Sequence, residues 1–331
     1  MSREVRLDIV DAGWLTTFQD AGRIGTERLG VPTGGSADQH AATVANVLVG
    51  NERNATLLEV MGEFSLVPSA DVLVAATGAV GQVLVGEHTA DAWSPVVVPA
   101  GVEVRLLPAA DGARGYLAVA GRMHSETFLG SAAPDARMGF AQQVNHGASL
   151  TVTTDFTGFR QPHFDHALFR LPVPIRRPMP GPWTVDLLPG PDSRIPGIEE
   201  LIESAEYRVT ERSNHVGVRL DGPVLHPDDD TEIVSHGVPV GAVEIPHGDE
   251  LIVLGRYRTV TAGYPIVAFA TTASQSMLGQ VTPGRVVRFR WVDRLQAHRS
   301  LWQLEIAVQT LELAVADVFG AVGIPQQARN G

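Results

Sequence analysis

The chain contains no cysteine and no lysine; all 25 of its basic residues are arginine. Without thiols it can form no disulfide, offer no cysteine nucleophile and build no thiolate metal site or iron–sulfur cluster. Without lysine amines it has no Walker A lysine, no Schiff base, no lysine general base and no attachment point for biotin or a lipoyl group. Any carboxyl carrier it works with therefore belongs to another chain. No apolar run approaches the ~20 residues of a membrane span, and the start, MSREVRLDIVDAG, lacks the apolar core of a signal peptide. A cytoplasmic protein that enters no membrane is expected. G-x-S-x-G, H-E-x-x-H and EF-hand loops are absent, so nothing supports a self-contained hydrolase or metalloenzyme. The glycines of TGAVGQVLVG have the wrong spacing for a dinucleotide fingerprint and open a strand, not a helix.

What is present is ordinary for a soluble globular protein: 331 residues, 44% hydrophobic and 19% charged, enough for two domains. A net charge of −12 argues against a nucleic-acid partner, whose surface calls for a basic footprint. Between Leu57 and Val119, short β-like runs (LLEVMGEFSLV, DVLVAAT, QVLVGE, PVVV, VEVRLLP, YLAVA) are separated by turn residues, the spacing of a barrel or sandwich. Before them, Ser36 and Gln39 form a capping box. The stripe Ala41, Val44, Ala45 and Leu48 follows, closed by Gly50, and Asp38 falls in the first turn. Six prolines between Pro162 and Pro182 read as a linker. His163, Asp165 and His166 lie in it at metal-like spacing, but with no further ligand nearby. The reading is mainly β: an N-terminal β-rich subdomain over 1–160, a Pro-rich linker over 161–182, a β-barrel subdomain over 183–293 and a long C-terminal helix over 294–320.

The second half carries the most specific stretch, Ser235 to Gly284. Ala242 to Pro246 alternates, which sets Glu244 on the face opposite Val243 and Ile245 and displays it on a strand. Beyond Leu251–Leu254 the same period puts Arg256 and Arg258 on one face, with Tyr257 and Thr259 on the other. Two guanidiniums side by side suit a carboxylate or phosphate, unless they are only a solvated strand end. Asp20 and Arg23 in QDAGR are placed for a local salt bridge, Glu59 sits among apolar neighbours either half exposed or paired, and the acidic PDDD at Pro227 to Asp230 reads as a turn. In the tail, Leu301, Leu304, Val308, Leu311, Val315 and Val318 step by three and four up to Gly320, one amphipathic helix that seals the chain's own barrel or docks a partner.

Taken in order, TTFQDAGRIG, LGVPTGGSAD, ANVLVGN, YLAVAG, FLGS, LPGP, SNHVGVRLDG, EIVSHGVPVGAVEIP, RTVTAGYP and QVTPG resemble the biotin-dependent carboxyltransferase family, second subunit. This is the allophanate hydrolase subunit 2 family, which includes KipA and the C component of 5-oxoprolinase. The resemblance covers roughly residues 5 to 292. It implies two barrel-like subdomains, the second cyclophilin-like, working beside a smaller KipI-like chain, the B component (allophanate hydrolase subunit 1). The activities it implies are ATP-dependent opening of 5-oxoproline to glutamate, with a LamB/YcsF-type A component, or carboxyl transfer to urea. A KipA-like regulatory role without chemistry is the alternative. It implies no covalently bound cofactor; ATP with magnesium acts at the level of the complex, and biotin only on another chain. The substrate it implies is a small amide or lactam.

Gln19, Asp20, Arg23, Asp38, Asn46 and Glu59 match polar positions of the family's first half, and Ser213, Gly217, Arg219, Ser235, Pro246, Thr261, Gly263, Tyr264 and Gln280 match those of its second. Asp20, Arg23, Asp38, Asn46, Glu59, Ser213, Arg219, Ser235, Thr261, Tyr264 and Gln280, with Glu244, Arg256, Tyr257 and Arg258, are the candidate substrate- or nucleotide-binding set. No catalytic residue and no metal ligand stands out. The chain departs from the family pattern at His215 (an arginine there), Glu244 (glutamine), Tyr257 (aspartate), Ala262 (glycine) and Ser274 (aspartate). These exchanges change the charge of any site they line, so a divergent substrate or a binding role is also expected.

Overall fold

Two strand patterns recur in the first half of the sequence, and they sort into two layers. In the computed structural model, which describes residues 2–158, 171–173, 183–193, 196–223, 233–246 and 250–324, the alternating runs form one sheet and the continuous apolar runs another. Arg3–Asp11, Val104–Pro108 and Ser149–Thr154 bury Val5, Leu7, Ile9, Val104, Leu106, Leu150 and Val152 and turn their polar residues outward. They belong to an antiparallel sheet of seven strands in the order Arg122–Met123, Ser149–Thr154, Arg3–Asp11, Phe64–Pro68, Val104–Pro108, Val80–Val85, His88–Ala90. Val72–Gly78 and Pro95–Val98 are buried along their whole length, as unbroken apolar runs predict. They lie in a five-stranded sheet ordered Leu15–Gln19, Leu57–Met61, Gly115–Val119, Val72–Gly78, Pro95–Val98.

One face of the five-stranded sheet packs on the first sheet. Its other face is covered by two helices, α1 (Gln39–Leu48) and the C-terminal helix Arg294–Val322. Helix α1 buries the predicted stripe but starts at Gln39, later than the Ser36 capping box places it, so Asp38 stands at its entrance rather than in its first turn. The helix closes at Gly50, whose φ of 75° suits glycine. A Cβ there would stand 2.9 Å from the ring of Phe319, which occupies that space.

The closed barrel of the second half has seven strands, ordered Trp183–Pro189, Ile266–Ala270, Ala242–Glu244, Leu251–Leu254, Gly217–Asp221, Glu206–Val209, Val286–Trp291. Only the seam between Trp183–Pro189 and Val286–Trp291 is parallel. Val185, Leu187, Tyr207, Val209, Leu220, Val243, Val253, Val267, Val287 and Phe289 fill its interior. Two short helices accompany it, α2 (Ile198–Ser204) and α3 (Thr272–Leu278). Helix α3 is not predicted from the sequence: seven residues with two serines and a glutamine show no amphipathic period. The long helix, α4 (Arg294–Val322), buries Val308, Leu311 and Val315 as predicted, but its last anchor is Phe319 rather than Val318. It also runs through Gly320. The stop is Gly323 (φ 71°), and the Ile324 N–H reaches the Phe319 carbonyl at 2.9 Å, a Schellman closure.

By their contacts the described residues form two units. One holds those up to Gly22, from Gln39 to Pro178 and from Glu305 onward; the other holds those of Arg23–Asp38 and Met179–Leu304. Among the described residues no helix is long and apolar enough to cross a membrane. The expected linker over 161–182, apart from 171–173, lies outside the described residues, as do His163, Asp165, His166 and the PDDD turn.

Candidate functional site

Strand Leu251–Leu254 stops at a glycine, and the chain then turns. Gly255 N–H donates to the Val216 carbonyl and Arg258 N–H to the Gly255 carbonyl, so Arg256, Tyr257 and Arg258 occupy a turn rather than an alternating strand. Their predicted two-faced display is therefore corrected: each arginine is aimed by its own partner. Arg256 Nε donates to the Gly34 carbonyl at 2.7 Å, and Gly34 N–H donates to the Arg256 carbonyl at 2.9 Å. Arg258 Nε donates to the Val238 carbonyl at 2.7 Å, and its Nη2 lies 3.7 Å from Glu27 Oε1.

The loop 23–38 completes this cluster. Arg23, buried, donates its N–H to the Thr33 carbonyl at 2.6 Å. Gly34 has φ 61°, and a Cβ on it would meet Arg23 Nη1 at 3.0 Å and the Tyr257 ring at 3.2 Å. Glycine is required there because guanidinium and ring close in on the backbone. Thr33 Oγ1 donates to Glu27, and this bond, with the Arg258 charge helping, holds the Glu27 carboxyl below its usual range. Burial pulls the Arg258 pKa down while Glu27 opposes it. At the end of the same loop Asp38 accepts from Gln280 Nε2 at 3.0 Å. Neighbouring Gly279 packs so closely on Ala37 that a Cβ would lie 2.5 Å from that backbone. His215 meets Tyr257 edge to face, ring centroids 5.4 Å apart.

Glu244 lies on the outward face of the barrel, as the strand period predicts, but is not displayed: it is 2% exposed. In register it stands beside Ile252 and Ile266, which cluster with Val238, Ala242 and Leu254. A bulge at Val243/Glu244 turns Val267 and Ala268 both inward. Oε1 of Glu244 has no hydrogen-bond partner among the described residues. Burial pushes its pKa up to about 7, against the pull of His236, which is the charge it feels. His236–Gly237 pairs with Thr261–Ala262 in a small ribbon that carries Ser235 and Thr261, both exposed, and leads to the half-buried Tyr264.

Other candidates have partners of their own. Arg219 is paired with Glu250, which also takes Arg212 at 2.7 Å, and its backbone exchanges two bonds with the Ser213 hydroxyl. In the first unit, Asp20 accepts from Ser131 Oγ and from the Ala132 N–H, both within 2.7 Å. Glu59 is paired, with the Tyr116 hydroxyl at 2.7 Å and Arg114 at 3.2 Å. Asn46 donates to the carbonyls of Arg53 and Ala55, shaping the loop after α1. Ser274 accepts from the Asp186 N–H at 3.1 Å within α3. Sequence reasoning missed Glu27, Thr33, Gly34, Val238 and His236. Only Gly34, in PTGGSAD, carried a legible signal, that of a tight turn.

The carboxyltransferase domain, subdomain A and B, family matches residues 29–291 of this chain. The chain is similar to the C component of 5-oxoprolinase from Escherichia coli (strain K12), 29% identical over 294 residues that cover 86% of this chain and 90% of the relative. Urea amidolyase of Lachancea kluyveri is 25% identical over 92% of this chain, which spans only 18% of that protein. Among solved structures, TTHA0988 superposes with a TM-score of 0.74 at 29% identity, over 88% of this chain and 57% of the other. K. lactis urea amidolyase superposes with a TM-score of 0.79 over 92% of this chain and 20% of that chain; at 22% identity this likeness shows the fold alone. With a family match that spans both the loop around Gly34 and the whole barrel, the chain belongs to the carboxyltransferase domain family, subdomains A and B.

Proposed function

We propose that the chain is the non-biotinylated C component of a heteromeric 5-oxoprolinase, or the corresponding part of a related allophanate hydrolase or urea carboxylase-type carboxyltransferase. The observation that carries this reading is Arg258. Its side chain is almost fully buried, yet Nη1 has no hydrogen-bond partner among the described residues. A buried donor left unmade costs about 1–3 kcal/mol. A carbonyl or carboxylate oxygen of a small lactam, urea-like or amide substrate removes that cost.

Activating such a carbonyl with ATP requires phosphates held in place and their charge neutralised. With no lysine, the chain has no Walker-type lysine to clamp the phosphates. ATP and magnesium are therefore assigned to the assembly, with a KipI-like chain and a LamB/YcsF-type chain as partners, and biotin, where used, to another chain. This chain's part is to bind and orient the substrate through arginine donors. A second reading, a KipA-like regulatory binding protein, is favoured by one observation. His215 and Tyr257, which stand where the resemblance expects an arginine and an aspartate, pack on each other as rings.

The test is ATP-dependent turnover of 5-oxoproline or urea by this chain, by its KipI-like sister chain and by the mixture. Turnover is expected only in the mixture, and Arg258→Met in the mixture should lower kcat/KM about tenfold or more, the equivalent of ~1.4 kcal/mol. Turnover by the isolated chain would sink the shared-site reading. A tight but silent mixture would favour the regulatory one.

A further inference from the structure

Helix α4 is apolar on two opposite sides. One side carries Val308, Leu311, Val315 and Phe319 into the core of the first unit. On the other, Leu295, Trp302, Ile306 and Leu313 are 56, 60, 44 and 67% exposed. At 3.6 residues per turn these four fall within about 40° of arc, roughly diametrically opposite Leu311. Single exposed apolar side chains are ordinary, but a row of four along the back of one helix is not. With Arg299 and Gln309 between them, the row steps by four and three alternately from 295 to 313, the seam of a heptad pair.

We propose that this seam joins two copies of the chain as an antiparallel helix pair, about a two-fold axis level with residue 304. The spacing carries the choice of occupant, because the seam is palindromic. Leu295 and Leu313 lie nine residues either side of 304, Arg299 and Gln309 five, and Trp302 and Ile306 two. Turned about that axis, Leu295 meets Leu313, Trp302 meets Ile306, and Arg299 meets Gln309, so each apolar residue covers an apolar one and the arginine meets an amide. A two-fold pairing is isologous, which is the symmetry such a seam satisfies.

Charge selects the same direction. The exposed charged residues at the start of the helix are Arg294 and Arg299, and the exposed one toward its end is Asp317. An antiparallel pair sets each basic end against an acidic one and opposes the two helix dipoles. A parallel pair would stack Arg299 on Arg299. The seam is about 28 Å long, short for a permanent dimer, so association depends on concentration. The inference is independent of the proposed chemistry.

Light scattering behind size exclusion, on the full chain over a range of micromolar concentrations, should show a monomer–dimer equilibrium that Trp302→Glu abolishes without changing the circular dichroism. Direction is read by cross-linking, since the chain has no cysteine of its own. Arg299→Cys and Gln309→Cys should form a disulfide when mixed. Neither should do so alone, because like positions then lie about 15 Å apart along the axis. A monomer at every concentration, or a dimer that Trp302→Glu and Ile306→Arg both leave intact, overturns the proposal. So does a seam that associates only with the KipI-like sister chain. Self-cross-linking of Arg299→Cys overturns the antiparallel direction.

Discussion

Glu244 sits in a strand whose three residues are all buried, with one carboxylate oxygen lacking a hydrogen bond among the described residues. Its pKa of about 7 stands above the ~4.3 of an unfolded chain, so the folded state prefers the protonated acid. The stability this group contributes is complete below about pH 4 and is lost as pH rises toward and through 7. Glu244→Gln removes the titration while keeping the shape. Urea unfolding should find the variant no more stable than the parent at pH 4, but more stable by about 3–4 kcal/mol at pH 8. An equal gain at both pH values would mean that Glu244 is ionised throughout. The strand face of Glu244 was legible from alternation alone; its burial was not, because what accompanies it is a cluster of residues from three neighbouring segments. The same holds for Arg258 with Glu27 and for Asp38 with Gln280, pairs separated by more than two hundred residues of sequence. Residue type and spacing identify such side chains as unusual, but they carry no information on which of them meet.

Among the elements, those with a strong period were readable. Alternating strands, unbroken apolar strands and the long helix all follow from spacing, whereas α3 and the turn at 255–258 do not. Seven residues, four of them polar, show no helical stripe, and a strand's alternation continues on paper past the glycine where the backbone turns away. Helix α4 owes its place to more than its stripe. Arg53, in the loop that Asn46 shapes, donates to both oxygens of Glu312 and both oxygens of Glu305, all within 2.9 Å. The two acids raise the Arg53 pKa above its usual value despite partial burial. The three side chains are part-exposed, which moderates their worth. Arg53→Ala leaves the two carboxylates facing each other and should cost about 1–2 kcal/mol in urea unfolding, with the loss shrinking at high salt. A loss unaffected by salt would show that the arginine acts by packing rather than charge.

In the whole molecule, the first unit is assembled from the beginning, the middle and the end of the chain. Composition and spacing could predict a mainly β protein with barrel-like halves, but not that the last helix closes the first core. The five-stranded sheet is complete once Val119 is in place, and one of its faces is covered by α1 together with residues as late as Phe319. On the ribosome, where the chain appears from its N-terminus at about 5–20 residues per second, some ten seconds or more separate the finished sheet from its cover. Throughout that interval Leu57, Leu73, Val97 and Tyr116 form an apolar surface that lacks the cover of Val308, Leu311, Val315 and Phe319. A chain ended before Glu305 stays in that condition permanently and should collect in the insoluble fraction, and supplying residues 294–324 as a separate peptide during refolding should recover soluble material. The order of synthesis thus leaves part of this face uncovered for that interval, and binding of the nascent chain by chaperones until α4 arrives is the expected outcome.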